Sequence, residues 1–303
     1  MSCEMLQRIC DREAGGIERM CNVKRHRVFS MGRQREAFFL LPSLAGVSLF
    51  VLAPFVDVVR RSFTDVMGES FVGLGNYKAV LANQAFRLAM GNTLKFLLVS
   101  VPLLLGLSLA LANMAYFGRG RVYQKVCLLP MAVPVVSLVF VWKMAFHPNG
   151  MLNSYLGLSV DWINSSYAFA VLVASFLWKN IGYYVVLWMT GLEGIPKSLY
   201  EAASLDGAGA VTRFFYITLP GLRPMVSAAL VLALTGALKS YREAYLLAGE
   251  YPDKSIYLMQ HMFHNWFRDM SVEKMAASAV VAVAVFAVMV YPLRRLCGSA
   301  QSV

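Results

Sequence analysis

The stretch FLLVSVPLLLGLSLALANMA, from Phe96 to Ala115, has twenty residues and no charged side chain. As an α-helix, about 20 mostly apolar residues cross the roughly 30 Å hydrocarbon core of a bilayer. The stretch therefore predicts a membrane-spanning helix, which the neighbouring apolar residues extend to 86–115.

Similar apolar segments occur on both sides of this stretch. With it, they are six in number: 37–59, 86–115, 123–146, 167–192, 223–248 and 272–293. The chain of 303 residues is 58% hydrophobic and only 15% charged, which is too apolar for a soluble domain of this length. We expect an all-α fold, a polytopic membrane helix bundle with six transmembrane helices. Prolines inside the predicted spans suit a bundle that contains a cavity.

Basic side chains predict the orientation of the bundle. Eight of the 28 Lys and Arg precede residue 36. The two tails and the connections on the same side of the membrane together hold fifteen Lys and Arg, whereas the connections on the other side hold five. Because cytoplasmic segments carry more Lys and Arg, we expect both termini in the cytoplasm, in a bacterial inner membrane. The predicted parts are a basic cytoplasmic tail (1–36), a transmembrane domain (37–293) and a cytoplasmic C-terminal tail (294–303).

The sequence argues against several other classes of protein. No aromatic residues alternate with the basic side chains of the tail, so we expect membrane lipid and not nucleic acid as a partner. No Gly-Lys pair is present, which excludes a phosphate-binding loop of the P-loop type. No catalytic constellation is visible, and the pair His261 and His264 favours packing at the membrane interface over a metal site. We therefore expect no catalytic residue, no metal and no cofactor bound by this chain.

The connection between the fourth and fifth predicted spans reads IPKSLYEAASLDGAGAVTRFFYITLPGLRP, from Ile195 to Pro224. Ser198 and Glu201 have the spacing of a capping box, which predicts that a short helix begins near Leu199. Asp206 and Gly207 then predict a turn, and a second helix is expected to end near Leu219 and Pro220.

The first of these two helices combines an apolar surface with acidic side chains. Its apolar side chains are Leu199, Tyr200 and Leu205, and its small ones are Ala202 and Ala203. Such a helix either fits a protein groove or lies on lipid headgroups. Glu201 and Asp206 favour the groove, because helices that bind lipid usually present Lys and Arg.

The motif EAASLDGA, followed by F, I and LP, resembles the EAA loop of binding-protein-dependent ABC importer permeases. The matching residues are Glu201, Ala202, Ala203, Asp206, Gly207, Ala208, Ile217, Leu219 and Pro220. The resemblance implies that residues 195–222 contain a cytoplasmic coupling helix, which fits a groove of a separate ATPase. Glu201 would then pair with a basic residue of the ATPase, and Gly207 would form the bend.

Other stretches are similar to the carbohydrate-uptake branch of that family. They are FFLLPSLAGVSLFVLAPFV at 38–56, SFTD at 62–65, FVGLGNYKAVL at 71–81 and NTLKF at 92–96. The resemblance implies uptake of a sugar or oligosaccharide by alternating access, with ATP and Mg on the partner ATPase. It also implies an extracytoplasmic solute-binding protein and a second permease subunit, either a homologue or a copy. The alternatives are a non-sugar solute such as glycerol phosphate or a polyamine, or a secondary transporter. Residues 1–30 lie outside the resemblance and are an extension or precede a true start at Met31.

Polar side chains inside predicted spans are candidates for the substrate path, because charged groups in a bilayer are costly and usually functional. The candidates are Trp178, Lys179, Asn180, Tyr183, Lys239, Tyr241, Arg242 and Glu243. Rings and hydrogen-bonding groups together suit a sugar. Lys179 and Lys239 either face the path or pair inside the bundle, and Lys239 and Glu243 have the spacing of an ion pair along one helix.

Overall fold

The computed structural model describes residues 41–68, 70–117 and 133–298, and for 292–298 it describes the backbone alone. Several expectations fall outside the described residues. They are the basic tail 1–36, the start of the predicted first span, 37–40, the connection with Arg119, Arg121 and Lys125, the first part of the predicted third span, 123–132, and the end of the predicted C-terminal tail, 299–303.

The first helix, α1, extends from Leu41 to Arg61 and is long and apolar enough to cross a membrane. Residues 48–52 form a π-helical turn, in which the amide of Ala53 bonds to the carbonyl of Ser48. The turn widens immediately before Pro54, which has no N–H to continue the α-helical pattern. α1 up to Arg60 belongs to one unit, and the helices that follow α1 belong to a second unit.

The second unit contains helices of very different lengths. They are α2 (Gly75–Ala82), α3 (Gln84–Phe117), α4 (Val135–Ala145), α5 (Met151–Leu156), α6 (Ala168–Glu193), α7 (Lys197–Leu205), α8 (Ala210–Arg213), α9 (Leu219–Gly221), α10 (Arg223–Leu238), α11 (Tyr241–Ala248), α12 (Met259–Arg268) and α13 (Val272–Gly298). A π-helical turn, Phe214–Thr218, joins α8 to α9. The described residues contain no β-strand, only an isolated bridge between Thr64 and Phe71.

Five segments of the described chain are long and apolar enough to span a bilayer. They are Leu41–Arg61, Gln84–Phe117, Ala168–Glu193, Arg223–Ala248 and Val272–Tyr291. The all-α fold and five of the predicted spans are thereby confirmed. Of the predicted third span, the structure describes the eleven-residue helix α4, so the count of six stays a prediction.

The main core lies between α3, α6 and α10. Leu104 of α3 and Trp188 of α6 are almost completely buried, and the indole N–H of Trp188 donates to Ser108 Oγ at 2.9 Å. On α10, the buried residues Ala229, Ala233 and Ala237 repeat every four positions. Small side chains at this spacing let helices approach closely, which stabilises helix pairs where lipid supplies no hydrophobic driving force.

A second cluster joins α2 and the start of α3 to α12 and α13. Phe86, Met259 and Met262 are buried in it. The side-chain amide of Asn92 donates to the carbonyls of Lys254 and Tyr257, at 2.6 and 3.0 Å. These bonds fix the connection that leads into α12, and α12 in turn contributes a residue to the site described next.

Candidate functional site

The fifth predicted span is interrupted between α10 and α11. At Lys239 and Ser240 the backbone amides bond to carbonyls three residues earlier, as in a 3₁₀ turn. The bonds run from Lys239 N to Gly236 O and from Ser240 N to Ala237 O, both at 3.1 Å. The amide of Arg242 points to the carbonyl of Lys239 instead of that of Leu238. The helix therefore loses an ordinary backbone bond at Leu238, well before the span ends.

Gln260 of α12 replaces the lost backbone bond. Its side-chain Nε2 donates to the carbonyl of Leu238 at 2.8 Å. An unpaired carbonyl in a span is costly, and interruptions are tolerated where protein groups or a water-filled cavity satisfy the backbone. The contact of Gln260 with Leu238 therefore stabilises the interruption.

An ion pair joins α6 to α11 beside this interruption. Lys179 Nζ donates to Glu243 Oε1, and the side chains are 22% and 9% exposed. The other carboxylate oxygen of Glu243 is buried and has no hydrogen-bond partner among the described residues. Lys179 lies near the centre of α6, which extends from Ala168 to Glu193, so the pair is in the middle part of that span.

This ion pair decides one of the alternatives left open by the sequence. Glu243 pairs with Lys179, and the alternative pairing of Lys239 with Glu243 along one helix is not found among the described residues. The reason is the interruption at Ser240, because side chains four residues apart are neighbours only on a continuous helix. Lys179 therefore both pairs inside the bundle and faces a cavity.

The cavity at the interruption has a volume of about 650 Å³. Six of the candidates from the sequence line it, namely Lys179, Asn180, Lys239, Tyr241, Arg242 and Glu243. Its remaining lining is Val135, Gly236, Leu238, Ser240 and Gln260. The volume is within the range of small-molecule sites, and the lining mixes charged, polar and apolar groups as such sites do.

Two candidates, Trp178 and Tyr183, are not among the lining residues. Trp178 is partly exposed and its ring meets that of Trp142 edge to face, with centroids 5.7 Å apart. Tyr183 packs against the ring of Tyr184 at 5.2 Å. Gln260 was missed, because a glutamine in a predicted connection carries no local sign that it reaches a span far away in the sequence.

The second candidate region is residues 195–222, which we call the Glu201 segment. Its first helix, α7, begins at Lys197, with Pro196 at the N-cap and no side-chain capping bond. The predicted helix is confirmed, but the capping box of Ser198 and Glu201 is wrong. The helix starts one residue after proline, which places Ser198 inside the first turn, where its side chain is not in the N-cap position.

The turn after α7 agrees with the prediction at Gly207. Gly207 has φ +75°, and two bonds close the helix, from Ala208 N to Ala203 O at 2.9 Å and from Gly207 N to Ser204 O at 3.2 Å. This pair of bonds is a Schellman motif, which requires a left-handed residue and favours glycine. The second helical part continues past the expected end, through Pro220 to Gly221 in α9.

Tyr200 attaches α7 to the bundle. The sequence grouped Tyr200 with Leu199 and Leu205 as the apolar side chains of this helix, but only 8% of Tyr200 is exposed. Its hydroxyl lies 3.0 Å from Thr218 Oγ1, and its ring meets Phe117 at the end of α3, with centroids 5.1 Å apart. α7 therefore contacts both the π-helical turn and a spanning helix through one side chain.

The opposite surface of the Glu201 segment is open. Leu205 is 89% exposed and Tyr216 is 80% exposed. Most residues of the EAA-like motif are exposed as well, namely Glu201, Ala202, Asp206, Gly207, Leu219 and Pro220, whereas Ala203 and Ile217 are half-buried. The segment thus exposes carboxylates together with large apolar side chains, while Tyr200 attaches its first helix, α7, to the bundle.

Among the described residues, no cluster of three ligand-type side chains that could hold a metal ion includes His261 or His264. His261 is completely buried, with its Nδ1 accepting from Leu258 N at 3.1 Å. Burial lowers the pKa of His261 to about 4, so its imidazole is neutral at physiological pH. His261 packs on the rings of Tyr241 and Tyr257, inside the protein and not at its surface.

These features are typical of a multi-pass α-helical membrane protein of the transport class. They are the interrupted span, the polar cavity beside the interruption, and the helix α7 that Tyr200 attaches to the bundle. A family described as "Binding-protein-dependent transport system inner membrane component" matches residues 103–297. The chain belongs to this family and is a permease subunit, a transport component and not an enzyme.

Relatives with similar sequences cover most of the chain. The sulfoquinovosyl glycerol transport system permease protein SmoG of Agrobacterium fabrum is 31% identical, over 84% of this chain and 86% of the relative. The trehalose/maltose transport system permease protein MalF of Thermococcus litoralis is 36% identical, over 77% and 85%. A solved bacterial ABC transporter that imports the acidic polysaccharide alginate shares the fold, with a TM-score of 0.76, 20% identity and coverage of 91% of this chain and 100% of that chain.

Proposed function

We propose that this chain takes up a sugar or oligosaccharide by alternating access, powered by a separate ATPase that binds the Glu201 segment. The observation that carries the proposal is the way in which α7 is attached to the bundle. Its outer surface, with Glu201 and Leu205, is open to a partner, while Tyr200 connects its inner surface to α3. Movement of a bound ATPase would therefore be transmitted directly to a spanning helix.

The cavity at Ser240 is the proposed substrate site within the path. It lies where α10 and α11 separate, so a change in the angle between these helices would alter its access. Substrate sites in interrupted spans are a recurrent solution in transporters, because the freed backbone and polar side chains need a protein-lined cavity. The mixed lining suits a ligand that has both hydroxyl groups and apolar faces.

The proposal includes further partners and an orientation. A second permease subunit, homologous or identical, would complete the path, and an extracytoplasmic binding protein would deliver the substrate on the side opposite the Glu201 segment. The excess of Lys and Arg supports cytoplasmic termini. In this arrangement α4 is part of a sixth span, together with the apolar residues that precede it.

The relatives support a sugar as the substrate. SmoG carries sulfoquinovosyl glycerol and MalF carries trehalose and maltose according to their names, so both a charged and a neutral saccharide occur among proteins similar to this chain. Their shared chemistry is a polyhydroxylated ligand. A secondary transporter is not favoured, because the chain belongs to a binding-protein-dependent family.

The decisive experiment is ATP-driven sugar uptake by the complete transporter, reconstituted in proteoliposomes. We expect Glu201→Lys to abolish uptake while the subunit still inserts in the membrane, because the charge reversal would disrupt docking of the ATPase. Glu193→Lys makes the same charge change at an exposed position at the end of α6, and it should keep most of the uptake. Uptake that continues without ATPase, or is unaffected by Glu201→Lys, would contradict the proposal.

A further inference from the structure

The charges that line the cavity do not balance. Lys179 and Glu243 neutralise each other in their ion pair. Lys239 and Arg242 also line the cavity, are exposed, and have no acidic partner among the described residues. Among the described residues Glu243 is the one acidic side chain of the lining, so these residues give the cavity an excess of two positive charges.

From this imbalance we propose that the cavity binds a sugar that carries an anionic group, a carboxylate, sulfonate or phosphate. The inference rests on the proposed function and names the substrate class of the same site. Charged side chains in a span are costly unless they are paired or serve a ligand. An anionic substrate would supply the missing negative charge at the interruption.

The position of Lys239 and Arg242 strengthens this inference. They lie on the two sides of Ser240, where α10 ends and α11 begins. The start of α11 adds the positive end of its helix dipole to the same cavity, because Tyr241 and Arg242 are its first residues. A guanidinium and an ammonium beside a helix start are groups that recognise carboxylate, sulfonate and phosphate oxygens.

The lining also offers acceptors for hydroxyl groups. Glu243 is 7% exposed, and one of its carboxylate oxygens has no donor among the described residues. Asn180 uses its N–H group on the carbonyl of Phe176 at 2.8 Å, and Gln260 uses its own on Leu238. The side-chain oxygens of Asn180 and Gln260 have no hydrogen-bond partner among the described residues, so they can accept from hydroxyl donors of a sugar. The lining thus offers a ligand both cationic groups and hydroxyl acceptors.

Paired sugars test the inference. The complete transporter, reconstituted with its ATPase, second permease subunit and binding protein, is given galactose and galacturonate, then glucose and glucose 6-phosphate, each labelled and at the same concentration. We expect ATP-driven uptake of at least one charged member, with a KM about tenfold or more below that of its neutral partner, as expected for a charge-assisted hydrogen bond. ATP-driven uptake of the neutral members with equal or lower KM would overturn the inference and leave the proposed function intact.

The second experiment measures the KM of variants of this chain that lack one of the two positive charges. Lys239→Gln and Arg242→Gln should each raise the KM for the anionic sugar about tenfold, with little change for the neutral one. Lys239→Arg and Arg242→Lys keep the charge and should retain most of the preference. Lys78→Gln, which removes an exposed charge from α2, is the matched control and should leave both KM values unchanged.

Further outcomes of these experiments distinguish failure of this inference from failure of the proposed function. An unchanged preference in Lys239→Gln and Arg242→Gln would overturn the inference, and would indicate that the two cations pair with the second permease subunit. A variant that fails to assemble is recognised by its loss of ATP hydrolysis. In that case the preference for the anionic sugar is compared in Lys239→Arg and Arg242→Lys, and loss of the preference there would overturn the inference. Transport of glycerol phosphate with no sugar transported would overturn the sugar class, and no ATP-driven uptake of any solute would overturn the proposed function itself.

Discussion

The Glu201 segment and the cavity at Ser240 are built in opposite ways. The Glu201 segment is continuous in sequence, and its turn is closed by short-range bonds such as that from Ala208 N to Ala203 O. The cavity combines α4, α6, α10, α11 and α12, and its main contacts join residues far apart in the chain, as in the pair of Lys179 and Glu243. Local chemistry therefore specifies the shape of the Glu201 segment, whereas only the assembled bundle forms the cavity.

The largest expected effect is on the cavity, through its ion pair. Glu243→Ala should destabilise the protein by about 4 kcal/mol, because it leaves Lys179 without its partner in the bundle. The double change Lys179→Met with Glu243→Leu should recover most of that loss, since it removes both charges. Thermal unfolding in detergent measures the effect. Equal destabilisation by the single and the double change would show that packing, and not the ion pair, is responsible.

The next effect concerns the attachment of the Glu201 segment. Tyr200→Ala should cost about 3 kcal/mol, because it removes a buried ring from its contact with Phe117. Tyr200→Phe removes only the hydroxyl near Thr218, at about 1 kcal/mol. We expect Tyr200→Ala to lower the number of sugars moved per ATP hydrolysed, measured in proteoliposomes. If Tyr200→Phe lowers that ratio as far as Tyr200→Ala, the ring contact is not what transmits the motion.

A smaller effect is expected at the interruption of the span. Gln260→Leu should cost about 2 kcal/mol, since the carbonyl of Leu238 loses its donor at the interruption of the span. The loss should appear as a lower unfolding temperature and as a weaker preference between the paired sugars. Gln84→Leu makes the same change at an exposed position at the start of α3, and it should leave both properties unchanged. Wild-type behaviour of Gln260→Leu would mean that water satisfies the carbonyl.

The smallest effect in the isolated chain belongs to the turn at Gly207. A Cβ atom added there meets no atom within 4 Å in the described part of this chain, so the cost of substitution comes mainly from φ +75°. Gly207→Val should cost about 1 to 2 kcal/mol, and Gly207→Asn less, because asparagine tolerates this conformation. With the ATPase bound, Gly207→Val should also abolish uptake. Full uptake in Gly207→Val would show that the turn is only a connector.

Features that depend on short stretches of the chain were the predictable ones. The apolar runs predicted five of the spans to within a few residues, because length and hydropathy act locally. Gly207 was predicted for the same reason, since its dihedral angle depends on its immediate neighbours. The capping box of Ser198 and Glu201 was wrong, because the spacing alone does not reveal that Pro196 occupies the N-cap.

Side-chain direction was the least predictable property. Tyr200 was grouped with Leu199 and Leu205 on one apolar surface, yet it is buried against the bundle, since the sequence does not show that Phe117 and Thr218 lie beside it. Trp178 and Lys179 are neighbours in sequence, yet only Lys179 lines the cavity. The preference of Glu243 for Lys179 over Lys239 depended on an interruption that no local pattern announced.

The order of amino acids was enough to specify an all-helical, multi-pass membrane protein with an EAA-like turn at Gly207. Apolar length and the conformational freedom of glycine are properties of short stretches, so they can be recognised without a fold. The folded bundle was needed to show that Lys179, Glu243 and Gln260 meet around Ser240. Their meeting depends on how three helices pack, and packing is determined by contacts between residues far apart in the chain.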